Sequence, residues 1–97
     1  MKPVKFHPQA ESELAESAVF YNDRLPGLGN DFLKAVRLAS RQIQADPLRR
    51  LLRRDGTRKV TLPRFPHAVV YRDDPEQILI VAVAHGARRP GYWQKRL

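Results

Sequence analysis

The side chains of this 97-residue chain that could do chemistry gather in its second half. His85 stands directly after the apolar run Ile78 to Ala84, and Arg88, Arg89, Pro90, Gly91, Tyr92 and Trp93 follow almost at once. An imidazole with a near-neutral pKa can give or take a proton in phosphodiester cleavage. Guanidinium forks grip phosphate or carboxylate through paired bonds, so Arg58, Arg64, Arg88 and Arg89 are candidates for holding an anion. Tyr92 and Trp93 can stack on a base. Each has a plainer reading beside the chemical one. A histidine at a strand end often serves only to bond backbone, and His7 and His67 fit that reading better still. Arg58 and Arg88 can be ion pairs that hold sheet to tail, and a Tyr-Trp pair more often pins a tail to the core, with Trp93 as the anchor.

Those residues need elements to position them. The run Ile78 to Ala84 is continuous, β-branched and too short to span a bilayer, which reads as a central strand covered on both faces. Continued to His85, it puts the imidazole on the face of Leu79, Val81 and Val83. Upstream, Val4 and Phe6 mark a short first strand, and Pro8 opens a helix whose early turns carry Glu11, Glu13 and Glu16. Ala10, Leu14, Ala18, Tyr21 and Leu25 form its apolar stripe. Pro26-Gly27-Leu28-Gly29 breaks the chain, and Asn30 or Asp31 is available to cap a second helix with the stripe Leu28, Phe32, Ala35 or Val36, Ala39 and Ile43. Asp46-Pro47 ends that helix. Leu48 to Asp55 is a basic connector, read as a helical turn with Leu51 and Leu52 inward. From Gly56 the period becomes two, with strands over 57–62 and 67–72, Tyr71 packed, and Asp73 to Glu76 as the turn into the central run. The order β-α-α-β-β-β describes an α+β domain, a helical hairpin on a small, mostly antiparallel sheet with a C-terminal tail, and residues 1–97 form one domain.

Charge divides the chain in two. Six cations meet six acidic residues from Met1 to Leu48, but twelve meet four from Arg49 to Leu97, so the whole net charge of +8 lies in the second half. Such a half suits a polyanionic partner, nucleic acid or an acidic protein segment, with Arg49, Arg50, Arg53 and Arg54 as a solvated attractive surface. Several classes are excluded. With no cysteine and three scattered histidines, neither a disulfide framework nor a zinc site is expected, and no metal or cofactor is implied. Gly27-x-Gly29 follows a helix and lacks a third glycine, which rejects a dinucleotide loop. Ser12, Ser17 and Ser40 fall in helices without a neighbouring base, so a serine nucleophile finds no support. No signal region or membrane span is visible, and a cytoplasmic protein is expected.

The element order resembles the RelE/ParE superfamily of bacterial type II toxin–antitoxin toxins. So do Pro8-x-Ala10, Pro26-Gly27-Leu28-Gly29, Gly56-x-Arg58, Arg64-Phe65-Pro66-His67-x-Val69-x-Tyr71, and the ending Ala84-His85-x-x-Arg88-x-Pro90-Gly91-Tyr92-Trp93. The resemblance implies a small toxin neutralised by an acidic cognate antitoxin in a hetero-oligomer. It also implies one of two targets: DNA gyrase, for ParE-like members, or messenger RNA in the translating ribosome, for RelE-like ribonucleases. In a ribonuclease His85, Arg58 and Tyr92 would be the catalytic groups. Val69 and Val70 are apolar, however, where RelE-like strands carry basic residues, and the chain ends Gln94-Lys95-Arg96-Leu97 rather than in a Tyr or His-Tyr pair. The Pro-Gly-Leu-Gly hairpin and the His-x-x-Arg ending resemble the ParE branch. On that branch Arg64, Arg88, Arg89 and Trp93 would contact the target. A scaffold that only binds its antitoxin is the third possibility.

Overall fold

A computed structural model describes residues 1–97 and sets the elements in the expected order: β1 (Val4–Phe6), α1 (Pro8–Arg24), α2 (Leu28–Ala45), β2 (Arg58–Thr61), β3 (His67–Asp73) and β4 (Ile78–His85). A 3-10 turn over Gln94–Arg96 closes the tail. Pro8 does begin α1, and the His7 imidazole caps it by accepting from the Gln9 N–H at 3.1 Å. The helix stops at Arg24, so Leu25 lies beyond it in extended backbone and is exposed instead of completing the stripe. Neither Asn30 nor Asp31 caps α2. Asn22 of α1 reaches across the turn, and its Oδ1 accepts from the N–H groups of Gly27 and Gly29 at 3.2 and 2.8 Å. Gly27 takes a φ of +91°, and a Cβ at Gly29 would stand 2.2 Å from the Ala18 carbonyl oxygen. The hairpin therefore closes only with glycine at both places.

The sheet order is β1-β4-β3-β2, with β1 parallel to β4 and the other pairs antiparallel. The apolar run is thus central, as its composition demands. Ile78, Ile80 and Val83 join Phe32, Val36, Ile43, Val69 and Tyr71 in the core beneath the helices. Val81, Ala82 and Ala84 join Val70 and Trp93 in a smaller cluster on the other side. One irregularity decides this division. Val70 pairs with Ala82 but Tyr71 pairs with Ile80, which leaves Val81 as an extra residue, a bulge that shifts the alternation of β4. Leu79 and Val81 therefore lie with the tail cluster while Val83 lies with the helices. His85 follows Val83 and sits opposite His67, so the expected common face with Leu79 and Val81 is wrong.

The connector after α2 also differs from expectation. Leu51 and Leu52 are exposed at 86% and 57%, and no helical turn forms. The segment is held from beneath by polar groups of β3 and β2 instead. The Tyr71 hydroxyl donates to the Pro47 carbonyl at 2.6 Å, and Arg58 donates to the Arg50 carbonyl at 2.6 Å.

Candidate target-binding face

The tail is fixed by an ionic latch that completes the edge of β4. β1 pairs only with Ile78 to Ile80, and the His7 N–H closes that ladder on the Ile80 carbonyl. Beyond it the chain turns into α1, and the Val81 C=O and Val83 N–H would face no strand. Glu13 of α1 and Arg96 of the tail take those places. Glu13 Oε1 accepts from the Val83 N–H at 3.1 Å, and Arg96 donates to the Val81 carbonyl at 3.0 Å. Arg96 also donates to both Glu13 oxygens, at 2.9 and 3.0 Å, and the Tyr92 hydroxyl donates to Oε2 at 2.6 Å. Burial pushes the Glu13 carboxyl up, but hydrogen bonds from Arg96, Tyr92 and Val83 outweigh it and hold the group below its ordinary value. The same contacts act in the opposite sense on Tyr92: burial first, then the bond to Glu13, push its hydroxyl well above the ordinary tyrosine range.

On the other side of the tail Trp93 is only 5% exposed and donates from Nε1 to Asp55 Oδ2 at 3.1 Å. Oδ1 of Asp55 accepts from the Thr57 N–H and hydroxyl at 2.9 and 2.6 Å. Burial raises the Asp55 carboxyl, but the Thr57 and Trp93 bonds more than reverse that and keep it charged. Sequence reasoning missed both Glu13 and Arg96. A signal was present, because Glu13 falls three residues after the buried Ala10 and beside Leu14, where a carboxylate needs a partner.

The three residues required of a ribonuclease do not meet. Arg58 lies opposite Tyr71, which lies opposite Ile80, whereas His85 is five residues further along β4. At about 3.4 Å per residue that is roughly 17 Å along the strand. The Arg58 guanidinium is engaged by the Arg50 carbonyl, and the Tyr92 hydroxyl is committed to Glu13. His85 fits the plainer description: its Nδ1 accepts from the Ala87 N–H at 2.9 Å, although its ring remains exposed. Trp93 has little surface left for a target, since its indole is buried beneath the tail and only its edge reaches the groove on the outer face of the sheet. Arg64 is exposed, 3.8 Å from Asp31, at the β2–β3 turn beside α2 and apart from the tail. Arg88 and Arg89 are exposed, with the Arg88 guanidinium 3.9 Å above the Tyr92 ring centre and 3.8 Å from Glu13.

One serine does have a neighbouring base, contrary to expectation. Ser17 Oγ stands 3.5 Å from His67 Nε2, in a hollow shared with Glu16, Phe20, Tyr21 and His85. The pairing lacks what nucleophilic catalysis requires. His67 Nδ1 is buried with no partner to orient the ring, and burial together with His85 lowers the imidazole to about 4. Such a group stays neutral and is a weak base at pH 7.

The cations converge on the sheet face away from the helices. Arg53 and Lys59 on one side and Arg88 on the other flank a shallow groove floored by Ala68, Val70 and Ala84 and walled by Trp93. Arg53 continues into a second hollow with Arg54, Asp55, Pro90, Gly91 and Gln94. No group of three or more metal-ligating side chains exists, and no helix is long and apolar enough to cross a membrane.

Comparison with known proteins follows the same lines. No curated protein matches the sequence significantly. Among solved structures, the chromosomal ParDE TA system from P. aeruginosa is similar, with 22% identity and a TM-score of 0.66 over 88% of this chain and 96% of that one, a likeness of fold. The family model described as the ParE toxin of the type II toxin-antitoxin system, parDE, matches residues 4–90, a span that holds both helices and all four strands. The chain therefore belongs to the ParE toxin family of type II toxin–antitoxin systems.

Proposed function

We propose that this toxin arrests growth in the cytoplasm by poisoning DNA gyrase, with Arg88, Arg89 and their neighbours on the tail contacting the target, and that it carries no chemistry of its own. The observation that supports this reading is the commitment of the chemical side chains elsewhere. Tyr92 is bound to Glu13, Arg58 to a backbone carbonyl and Trp93 to Asp55, while Arg88, held only by a 3.8 Å ion pair to Glu13, and Arg89 stay exposed.

The antitoxin takes a different surface. An apolar groove lined by Val4, Phe6, Leu14, Leu33 and Val36 runs between the hairpin and β1, an edge strand. It is edged by Arg37, with Lys5 exposed on β1, so a segment with an apolar face and acidic flanks would cover it and extend the sheet. On this reading the antitoxin lies along the β1 edge.

The deciding experiment uses the purified chain, freed of antitoxin, with gyrase, ATP and supercoiled plasmid. Trapped double-strand cleavage, seen as linear plasmid, is the expected result. Untouched gyrase together with ribosome-dependent cleavage of messenger RNA would overturn it in favour of the ribonuclease branch. Induction without any growth arrest would leave only an antitoxin-binding scaffold.

A further inference from the structure

We infer that the outer face of the sheet is a track for the phosphodiester backbone of duplex DNA. It rests on the proposal above only for where that DNA is met, namely in the complex between gyrase and its substrate. Five cations, Arg53, Arg54, Lys59, Arg88 and Arg89, lie along the groove and its continuation or in the tail beside them. The acidic residues nearby are already occupied. Both oxygens of Asp55 accept from Thr57 and Trp93, and both oxygens of Glu13 accept from Arg96. Asp55 stays charged and offsets one of the five cations, and Glu13, already paired with Arg96, lies 3.8 Å from Arg88, so the track keeps a positive surplus.

The construction of the face favours nucleic acid over an acidic protein. A protein interface draws its affinity from large apolar or aromatic anchors in pockets. Here the floor is Ala68, Val70 and Ala84, Trp93 is turned inward, and the second hollow has no apolar lining beyond Pro90. Phosphates ask only for guanidinium forks and ammonium groups on a rigid support. The rigid support exists, because the latch and the Trp93 anchor fix the tail that carries Arg88 and Arg89. Exposed apolar side chains lie on the helices, Val19 and Phe20 on α1 and Leu38 on α2, and on the connector, Leu48, Leu51 and Leu52, but none of them lines either hollow.

The test is fluorescence anisotropy of a labelled 20-base-pair duplex with the purified full chain over a salt series, without gyrase. If three or four phosphates are neutralised, affinity should fall roughly 40- to 150-fold between 50 and 200 mM salt. The double variant Lys59→Gln, Arg89→Gln should flatten the slope of log K against log salt by about 2, whereas Lys34→Gln, Arg41→Gln, with the same charge change on α2, should leave it near the wild-type value. Both pairs change exposed side chains, so folding is retained. The inference is overturned by no binding at 50 mM salt, by equal effects of the two double variants, or by poly-glutamate of matched charge binding as tightly as the duplex. A duplex RNA of the same sequence separates the two nucleic acids, and a tenfold preference for RNA would refute the assignment to DNA. Because gyrase is absent, failure here leaves the gyrase reading standing, and failure of the gyrase assay leaves this one standing.

Discussion

Replacing Glu13 with glutamine should loosen the tail far more than the loss of one surface charge would suggest. The carboxylate accepts four hydrogen bonds: two from Arg96, one from Tyr92 and one from the Val83 N–H. Glutamine can keep the bond to Val83 through its carbonyl oxygen, but its amide then turns donors toward the Tyr92 hydroxyl and an Arg96 nitrogen. Hydrogen bonds to a charged group are worth about 1.5–3 kcal/mol each, and breaking a buried ion pair costs about 3–5 kcal/mol. With 10% and 14% of the Arg96 and Glu13 side chains still exposed, the lower end applies, about 3 kcal/mol. For a domain of this size that is a fall in Tm of roughly 12–24 °C. Urea unfolding at pH 7, followed by far-UV circular dichroism and by Trp93 fluorescence, reads both the fold and the tail. A double-mutant cycle with Arg96→Ala should give a coupling energy above about 1 kcal/mol. A loss below 1 kcal/mol for Glu13→Gln, or simple additivity with Arg96→Ala, would show that the latch is an incidental surface contact.

Stability should also fall as pH drops from about 6.5 to about 4, because His67 titrates at about 4 when folded and 6.5 otherwise. The unfolded chain then binds the extra proton, so this contribution is complete above the unfolded value and is lost on the way down to the folded one, by roughly 3 kcal/mol in all. His67→Phe should flatten that slope in urea titrations, and an unchanged slope would refute it. The pair Arg88→Ala, Arg89→Ala should abolish growth arrest while moving Tm by no more than a few degrees, since both side chains are exposed and surface pairs contribute about 1 kcal/mol or less. Undiminished arrest would remove these residues from the target interface. Tyr92→Phe keeps the ring beneath Arg88 and loses one bond to the Glu13 carboxylate, so it should cost about 1.5–3 kcal/mol in urea yet leave arrest intact. Loss of arrest with the fold preserved would restore Tyr92 as a reacting group.

What was legible in the sequence was whatever repeats along one element. The apolar run of β4, the stripe of α2 and the proline at the start of α1 each follow from local periodicity or backbone geometry, and the structure places them as read. The misreadings fall where a residue depends on something distant. The bulge at Val81 arises from the pairing of β3 with β4, and shifting the phase by one residue moved His85 to another face. Asn22 displaced Asn30 and Asp31 as the cap because the two glycines bring α2 within reach of the preceding helix. The Ser17 and His67 neighbours are 50 residues apart in the chain, and Glu13 and Arg96 are 83 apart. No spacing rule connects such pairs. The anchor reading of Trp93 was available from composition, since a large ring with one donor suits a buried position with one acceptor.

The family match ends at Pro90, yet Tyr92, Trp93 and Arg96 follow it and determine where Arg88 and Arg89 stand. The core of the fold and the positioning of its cations are therefore separable. Residues 4–90 supply the sheet, the hairpin and a β4 edge whose Val83 amide is met by Glu13 but whose Val81 carbonyl is left open, and Arg96 in the last residues fills that carbonyl and pairs with Glu13. If holding the tail is their main task, Tyr92 and Trp93 are consumed by the structure, and the exposed guanidinium and ammonium groups of the face are what remains for recognition. That division gives Glu13→Gln and Arg88→Ala, Arg89→Ala opposite signatures. The first should lose stability and blunt arrest with every surface cation still present, and the second should lose arrest with stability intact. If both variants lost arrest only in proportion to stability, positioning and recognition would be one property of the fold, and the separation drawn here between latch and contact surface would fail.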